Sequence, residues 1–176
     1  MRIGVFNQTV NDGTIDEVVE HARRAEADGF ASFWTSHIFG HDALTALAVV
    51  GREVPRIELG TSVVPTFPRH PAALAQQAVT VNAIAGGRLC LGIGLSHKVV
   101  IESMYGLRLE RAVRHLTEYL DVLRPLSEDR PAAVDGELYR VHLALSAKGA
   151  SPFPIVVAAL GPQLLRVAGE RADGTV

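Results

Sequence analysis

The chain has 176 residues, 48% of them hydrophobic and 20% charged, with a formal net charge of −2. That balance is expected of one globular domain over residues 1–176 and excludes the disordered and fibrous classes. Lys and Arg are scattered rather than gathered into a stripe, which argues against nucleic acid as a partner, and no apolar run reaches the roughly 18 residues of a membrane span.

The opening segment MRIGVFNQTV has no signal-peptide pattern, so a cytoplasmic location is expected. Within it RIGVF (2–6) is a β-rich run, and Asn11, Asp12 and Gly13 supply turn chemistry. Thr14 with Glu17 forms a capping box, and Ile15, Val18, Val19, Ala22 and Ala25 recur at helical spacing up to Gly29. FASFWTSHIFG (30–40) returns to strand composition, and Asp42 caps a helix that runs toward Pro55. The third strand, RIELGTSVV (56–64), is followed at once by Pro65 and Pro68, and proline cannot donate to a central ladder.

Leu74, Ala78, Val81 and Ala85 then share a helical face that Gly86 and Gly87 terminate. RLCLGIGL (88–95) is the fourth strand, and its Cys90 is expected to be an inert buried thiol. The longest helix is expected over 107–126, with Leu109, Val113, Leu116, Leu120 and Leu123 as its apolar stripe. Residues 134–146 form a polar insertion with a hairpin around Asp135 and Gly136, and FPIVVAAL (153–160) is the fifth strand. Gly161 and Pro162 open a further helix, and RADGTV begins a sixth strand.

Strand–helix alternation with short, nearly wholly apolar strands predicts a parallel sheet covered by helices. A doubly wound sheet and a (β/α)8 barrel both satisfy it, and both bind ligands at the carboxyl ends of the strands. The residues there are Ser36-His37, Ser62 to Pro65, Gly92 to His97 and Ala158 to Pro162. GIGLS lacks the spacing of either phosphate-loop motif, whereas the Gly161-Pro162 helix start offers free N–H groups to a phosphate. His37 and His41 are four apart, but Gly40 and strand-like neighbours speak against a helical metal pair, so no metal is expected. GLSHK lacks the closing glycine of a nucleophile elbow. Arg69 and His70 read as loop residues with no assigned role.

FWTSH at the second strand, LGTSVVPTFPRHPAALAQQAVTVNAIAGGRLCLGIGLS across the third and fourth, and VVAALGP at the fifth resemble the luciferase-like flavin monooxygenases, in the branch that uses the deazaflavin coenzyme F420. The resemblance implies a (β/α)8 TIM-barrel type of α/β fold, truncated here after about five βα units with an insertion before the fifth strand. It implies an oxidoreductase that moves a hydride between F420 and an unidentified small organic substrate, with His37 as the acid/base group. It also implies a bulge with a non-proline cis peptide at Ser62-Val63 behind the ring, Gly94, Leu95 and Ser96 beside the ring and ribityl chain, and Ala159, Leu160 and Gly161 at the coenzyme tail. Several relatives carry an acid where this chain has Ser36. The alternatives are an FMN-dependent luciferase-like monooxygenase and a truncated, non-catalytic flavin-binding protein. A homo-oligomer is expected.

Overall fold

The computed structural model describes residues 1–176. In chain order the elements are β1 (Gly4–Asn7), α1 (Thr9–Asp12), α2 (Ile15–Ala27), β2 (Ser32–Thr35), α3 (Ala43–Glu53), β3 (Glu58–Thr61), β4 (Val64–Pro65), α4 (Pro71–Ile84) and β5 (Leu89–Gly94). A π-helical segment, Val99–Met104, follows. Then come α5 (Ala112–Ser127), β6 (Ala132–Asp135), β7 (Arg140–Leu143), β8 (Ile155–Ala158), α6 (Pro162–Arg171) and β9 (Gly174–Thr175). No helix is long and apolar enough to cross a membrane.

Local chemistry sets the helix starts. The Thr14 hydroxyl accepts from the Glu17 N–H at 3.2 Å while the Glu17 carboxylate accepts from the Thr14 N–H at 2.7 Å, which completes the capping box of α2. Asp42 caps α3 by accepting from the Thr45 N–H at 2.8 Å. Pro71 sits at the first position of α4, and Gly86 and Gly87 leave that helix with φ of 63° and 83°.

The main sheet is parallel throughout, in the order β1-β2-β3-β5-β8-β9, with β4 also paired to β5. Its register divides the strand residues into two faces. Val5, Phe33, Leu59, Leu89, Leu91, Ile93, Ile155 and Val157 point one way and share a single core with Val18, Leu47, Leu74, Leu120 and Val167 of the helices. Phe6, Trp34, Gly60, Cys90, Gly92, Gly94 and Val156 point the other way, where no helix packs. Helices on one face exclude the doubly wound alternative and leave the curled half of a (β/α)8 barrel, five βα units followed by the short β9. Cys90, on the open face, is half-buried rather than buried, and burial still pushes its thiol up to about 11, which keeps it unreactive.

Four boundaries differ from the sequence expectation. Residues Thr9–Asp12 form a short helix where a turn was expected. The second strand stops at Thr35, so His37 and His41 lie in a loop. The longest helix begins at Ala112 rather than Leu107, because Gly106 and Arg111 adopt φ of 67° and 55°, and Leu109 precedes the helix. The strand after the bulge resumes as Val64–Pro65, with Pro65 opposite Gly94 at the last ladder position, where its missing N–H costs nothing. The insertion does form a hairpin, β6 with β7 antiparallel and Asp135 opposite Arg140.

Candidate functional site

The carboxyl ends of β1, β2, β3 and β5 converge on a cleft of about 350 Å³. Its lining combines apolar Phe6, Ile38, Phe39, Val63 and Val100 with polar Ser36, His37, Ser62, Ser96 and His97. A larger groove of about 640 Å³ lies between α5 and α6, and Pro162, at the start of α6, is the one strand-end residue that lines it. The smaller cleft therefore matches the position at which this architecture binds ligands.

The floor of the cleft exists because β3 breaks. After Thr61 the chain bulges through Ser62 and Val63, whose connecting peptide bond is cis, before rejoining β5 at Val64. Thr61 bridges the gap, its hydroxyl donating to the Gly92 carbonyl and accepting from the Gly92 N–H, both at 2.8 Å. Gly94 makes room for Val63: a side chain there would place Cβ 2.6 Å from Val63 Cγ2 and 3.2 Å from Ala158 Cβ.

His37 is fixed from two sides. Its Nδ1 accepts from the Ala43 N–H, at the first turn of α3, at 3.2 Å, and its Nε2 lies 3.4 Å from the Arg69 guanidinium. Arg69 is also bonded to Asp42 and to Gln77 Oε1, the latter at 2.6 Å, and the Gln77 amide donates to Asp42 at 3.0 Å. Burial, and then the charge of Arg69, lower the His37 pKa below the ordinary imidazole value, with Asp42 opposing. Burial alone would raise the pKa of Asp42, but the hydrogen bonds from Arg69 and Thr45 outweigh it and bring the carboxyl to about 2. A neutral imidazole beside an ionised, bonded Arg–Asp pair is the resting state of this corner.

Of the residues singled out in the sequence, the structure brings His37, Ser62, Val63 and Ser96 into one cleft, with Gly94 directly behind Val63. Leu95 packs against the core instead, and the Ala159 side chain belongs to the core. Leu160 is 88% exposed, and Gly161 caps α6 with φ of 81°; neither they nor Ala159 line the cleft. Arg69 is not a free loop residue, since it joins the His37 network across 27 residues from Asp42. His70 caps α4 by accepting from the Ala72 N–H at 3.3 Å. Phe6 and Gln8 were missed because the end of the first strand was not read as a strand end like the others; that position was the available signal.

Residues 1–176 match the family described as luciferase-like monooxygenase. The chain is 30% identical to the 5,10-methylenetetrahydromethanopterin reductase of Archaeoglobus fulgidus, an alignment that covers 100% of this chain and 52% of the relative. It is 36% identical to the F420-dependent glucose-6-phosphate dehydrogenase of Intrasporangium calvum, covering 91% and 53%. Its fold superposes on the coenzyme F420 dependent tetrahydromethanopterin reductase of Methanopyrus kandleri with a TM-score of 0.84 at 22% identity, covering 99% of this chain and 55% of the other. The chain thus spans about half the length of the curated relatives it matches.

Proposed function

The chain belongs to the luciferase-like monooxygenase family, and we propose that it serves an oxidoreductase that transfers a hydride between coenzyme F420 and a small organic substrate. The observation that carries this reading is the convergence of the Ser62-Val63 bulge, Ser96 and a neutral His37 in one cleft at the strand ends. The F420-dependent glucose-6-phosphate dehydrogenase named above aligns with 91% of the chain and supports the choice of coenzyme.

The residues present fit a deazaflavin. A flat ring with one polar edge needs a smooth apolar wall and a few hydrogen-bonding groups, and the cleft offers Val63, Phe39 and Val100 for the wall and Ser62, Ser96 and His37 for the edge. Ser62 and Val63 would support the ring, and Gly94 allows Val63 to stand where it does. Gly94, Leu95 and Ser96 would hold the coenzyme beside its ring, the side chain of Leu95 anchoring that segment in the core. Ala159, Leu160 and Gly161, outside the cleft, would hold the tail of the coenzyme, where the first N–H groups of α6 would favour an anion. The bound coenzyme supplies the carbon that gives or takes the hydride. His37 contributes a hydrogen-bonding group of fixed orientation at the reacting face, and its lowered pKa keeps it uncharged near neutral pH.

The test is a fluorescence titration of the protein with F420 and, in parallel, with FMN. Saturable binding of F420 in preference to FMN is expected, weakened about tenfold in His37→Ala, the loss of roughly one hydrogen bond. Preference for FMN moves the chain to oxygen-dependent monooxygenase chemistry. Binding of neither coenzyme overturns the reading.

A further inference from the structure

Fifteen large apolar side chains are exposed, and six of them fall in two short segments that meet beside the cleft. Ile38 and Phe39 belong to the loop after β2, and Val99, Met104, Tyr105 and Leu107 lie in and just after the π-helical segment; all six are between 39% and 60% exposed. The rings of Phe39 and Tyr105 stand 6.3 Å apart, centroid to centroid, which is the spacing of an aromatic pair and joins the two segments into one surface. Isolated exposed apolar side chains are ordinary, but a patch continuous with a concave site marks a binding surface. Ile38, Phe39 and Val100 supply that continuity, since they also line the cleft.

The surface is fixed from below. Ile101 is fully buried, the Tyr105 N–H donates to the Val100 carbonyl and the Leu107 N–H to the Ile101 carbonyl, both at 3.0 Å, and Gly106 turns the chain with φ of 67°. Its charges cancel. Asp42 is bonded to Arg69, Lys98 stands 3.7 Å from Glu102, and Arg108 stands 3.6 Å from Glu110. A charged ligand entering here meets only compensated charge, whereas an apolar body gains by covering the patch. Six side chains are also too few for a stable protein interface, which takes roughly 20 residues a side, so the occupant is a small molecule.

We propose that this surface is the entrance for the substrate, that it selects an uncharged compound with an aryl or branched alkyl body and one alcohol or carbonyl group, and that Tyr105 is a specificity-determining residue. This deepens the oxidoreductase reading and rests on it. Alcohol and ketone differ by one hydride, which the coenzyme carries, and one proton, which water takes up or returns. The apolar body rests on Ile38, Met104 and Tyr105, and the oxygen turns inward to the hydroxyl and imidazole groups of the lining.

The chain has two methionines, Met104 at the patch and Met1 ahead of β1 at the amino end of the sheet, so methyl-labelled methionine gives one reporting signal and one control. In the F420-saturated chain, acetophenone is expected to shift the Met104 signal saturably and leave Met1 in place, and glucose 6-phosphate is expected to shift neither. Tyr105→Ser is expected to weaken acetophenone binding about fivefold, the loss of one aromatic contact, while Tyr105→Phe binds as the wild type does. Acetophenone binding that disappears when F420 is added assigns the patch to the coenzyme and overturns the proposal. So does a solution mass that is doubled in the wild type and not in Tyr105→Ser, which assigns the patch to a second copy. A Met104 shift with glucose 6-phosphate, or an acetophenone shift that does not saturate or is unchanged in Tyr105→Ser, overturns it as well. Failure of F420 to bind the wild type overturns the oxidoreductase reading instead, and the same acetophenone titration without coenzyme then decides the patch.

Discussion

His115 lies on α5 away from the cleft, and its surroundings show what burial does to a histidine whose ring nitrogens meet only neutral hydroxyl groups. Its Nε2 is 2.8 Å from the Thr66 hydroxyl, its ring stacks on Phe67 at 3.9 Å, and Tyr139 Oη is 3.3 Å from Nδ1. Burial brings its pKa down to about 4, with Glu118 opposing. The folded state therefore binds the proton less readily than the unfolded chain does. Stability from this group is fully present above the ordinary pKa of about 6.5 and is lost as pH falls toward about 4. At about 1.4 kcal/mol per pH unit the loss amounts to about 3 kcal/mol. Urea denaturation at pH 7, 5.5 and 4.5 measures it, and His115→Gln is expected to flatten the dependence; a pH-independent wild type would show His115 to be solvated. His37 acts in the same direction, and so does Asp42, whose stabilisation is fully present above the ordinary carboxylate range and is lost only as pH falls through that range toward about 2. At this scale the sequence shows single residues and not their partners. His37 was readable because it follows an apolar strand, but Arg69 meets it across 32 residues through the curl of the sheet, and no local spacing records such an approach.

The break in the third strand is the element on which the site depends, and the sequence carried its position more clearly than its form. Pro65 and Pro68 correctly mark where β3 fails to continue, yet one strand residue of Pro65 remains useful because a terminal ladder position needs no donor from it. The π-helical segment Val99–Met104, in which Ile101 is buried, was not readable, since its residues have the composition of an ordinary helix. Close backbone approach at the break gives a sharp expectation. A Cβ on Gly92 would lie 1.8 Å from the Thr61 carbonyl oxygen, which belongs to rigid backbone, so Gly92→Ala must separate β3 from β5 and loosen both hydrogen bonds of the Thr61 hydroxyl. A loss of about 3 kcal/mol is expected, the upper end of overpacking costs. Gly169→Ala in α6 meets open space and is expected to stabilise by about 0.5 to 1 kcal/mol. Urea midpoints of the two variants beside the wild type measure both, and the opposite signs distinguish backbone crowding from helix propensity.

The whole molecule is asymmetric in a way that follows from its one-sided packing. Strand–helix alternation was enough to read a parallel sheet, but the choice between covering one face and covering two depends on how neighbouring crossovers turn, which the sequence leaves open. The structure puts every large helix on the Phe33 face and leaves Trp34, Cys90 and Phe6 on the other, with Phe6 48% exposed. Burial falls from the middle of the sheet to its edges. Five of the six residues of β5 are buried, whereas β1 alternates between exposed and half-buried and β9 has no buried residue. Opening free energies are expected to follow that gradient, because a strand paired on one side and uncovered on one face loses little when it frays. Amide hydrogen exchange of the 176-residue chain is expected to be slowest in β3, β5 and α4 and fastest in β1, β9 and the β6–β7 hairpin. Protection of β1 equal to that of β5 would contradict an uncovered edge. Measured with solution mass, it would show that a second copy of the chain lies against the open face, the arrangement in which Phe6 and Trp34 are withdrawn from water.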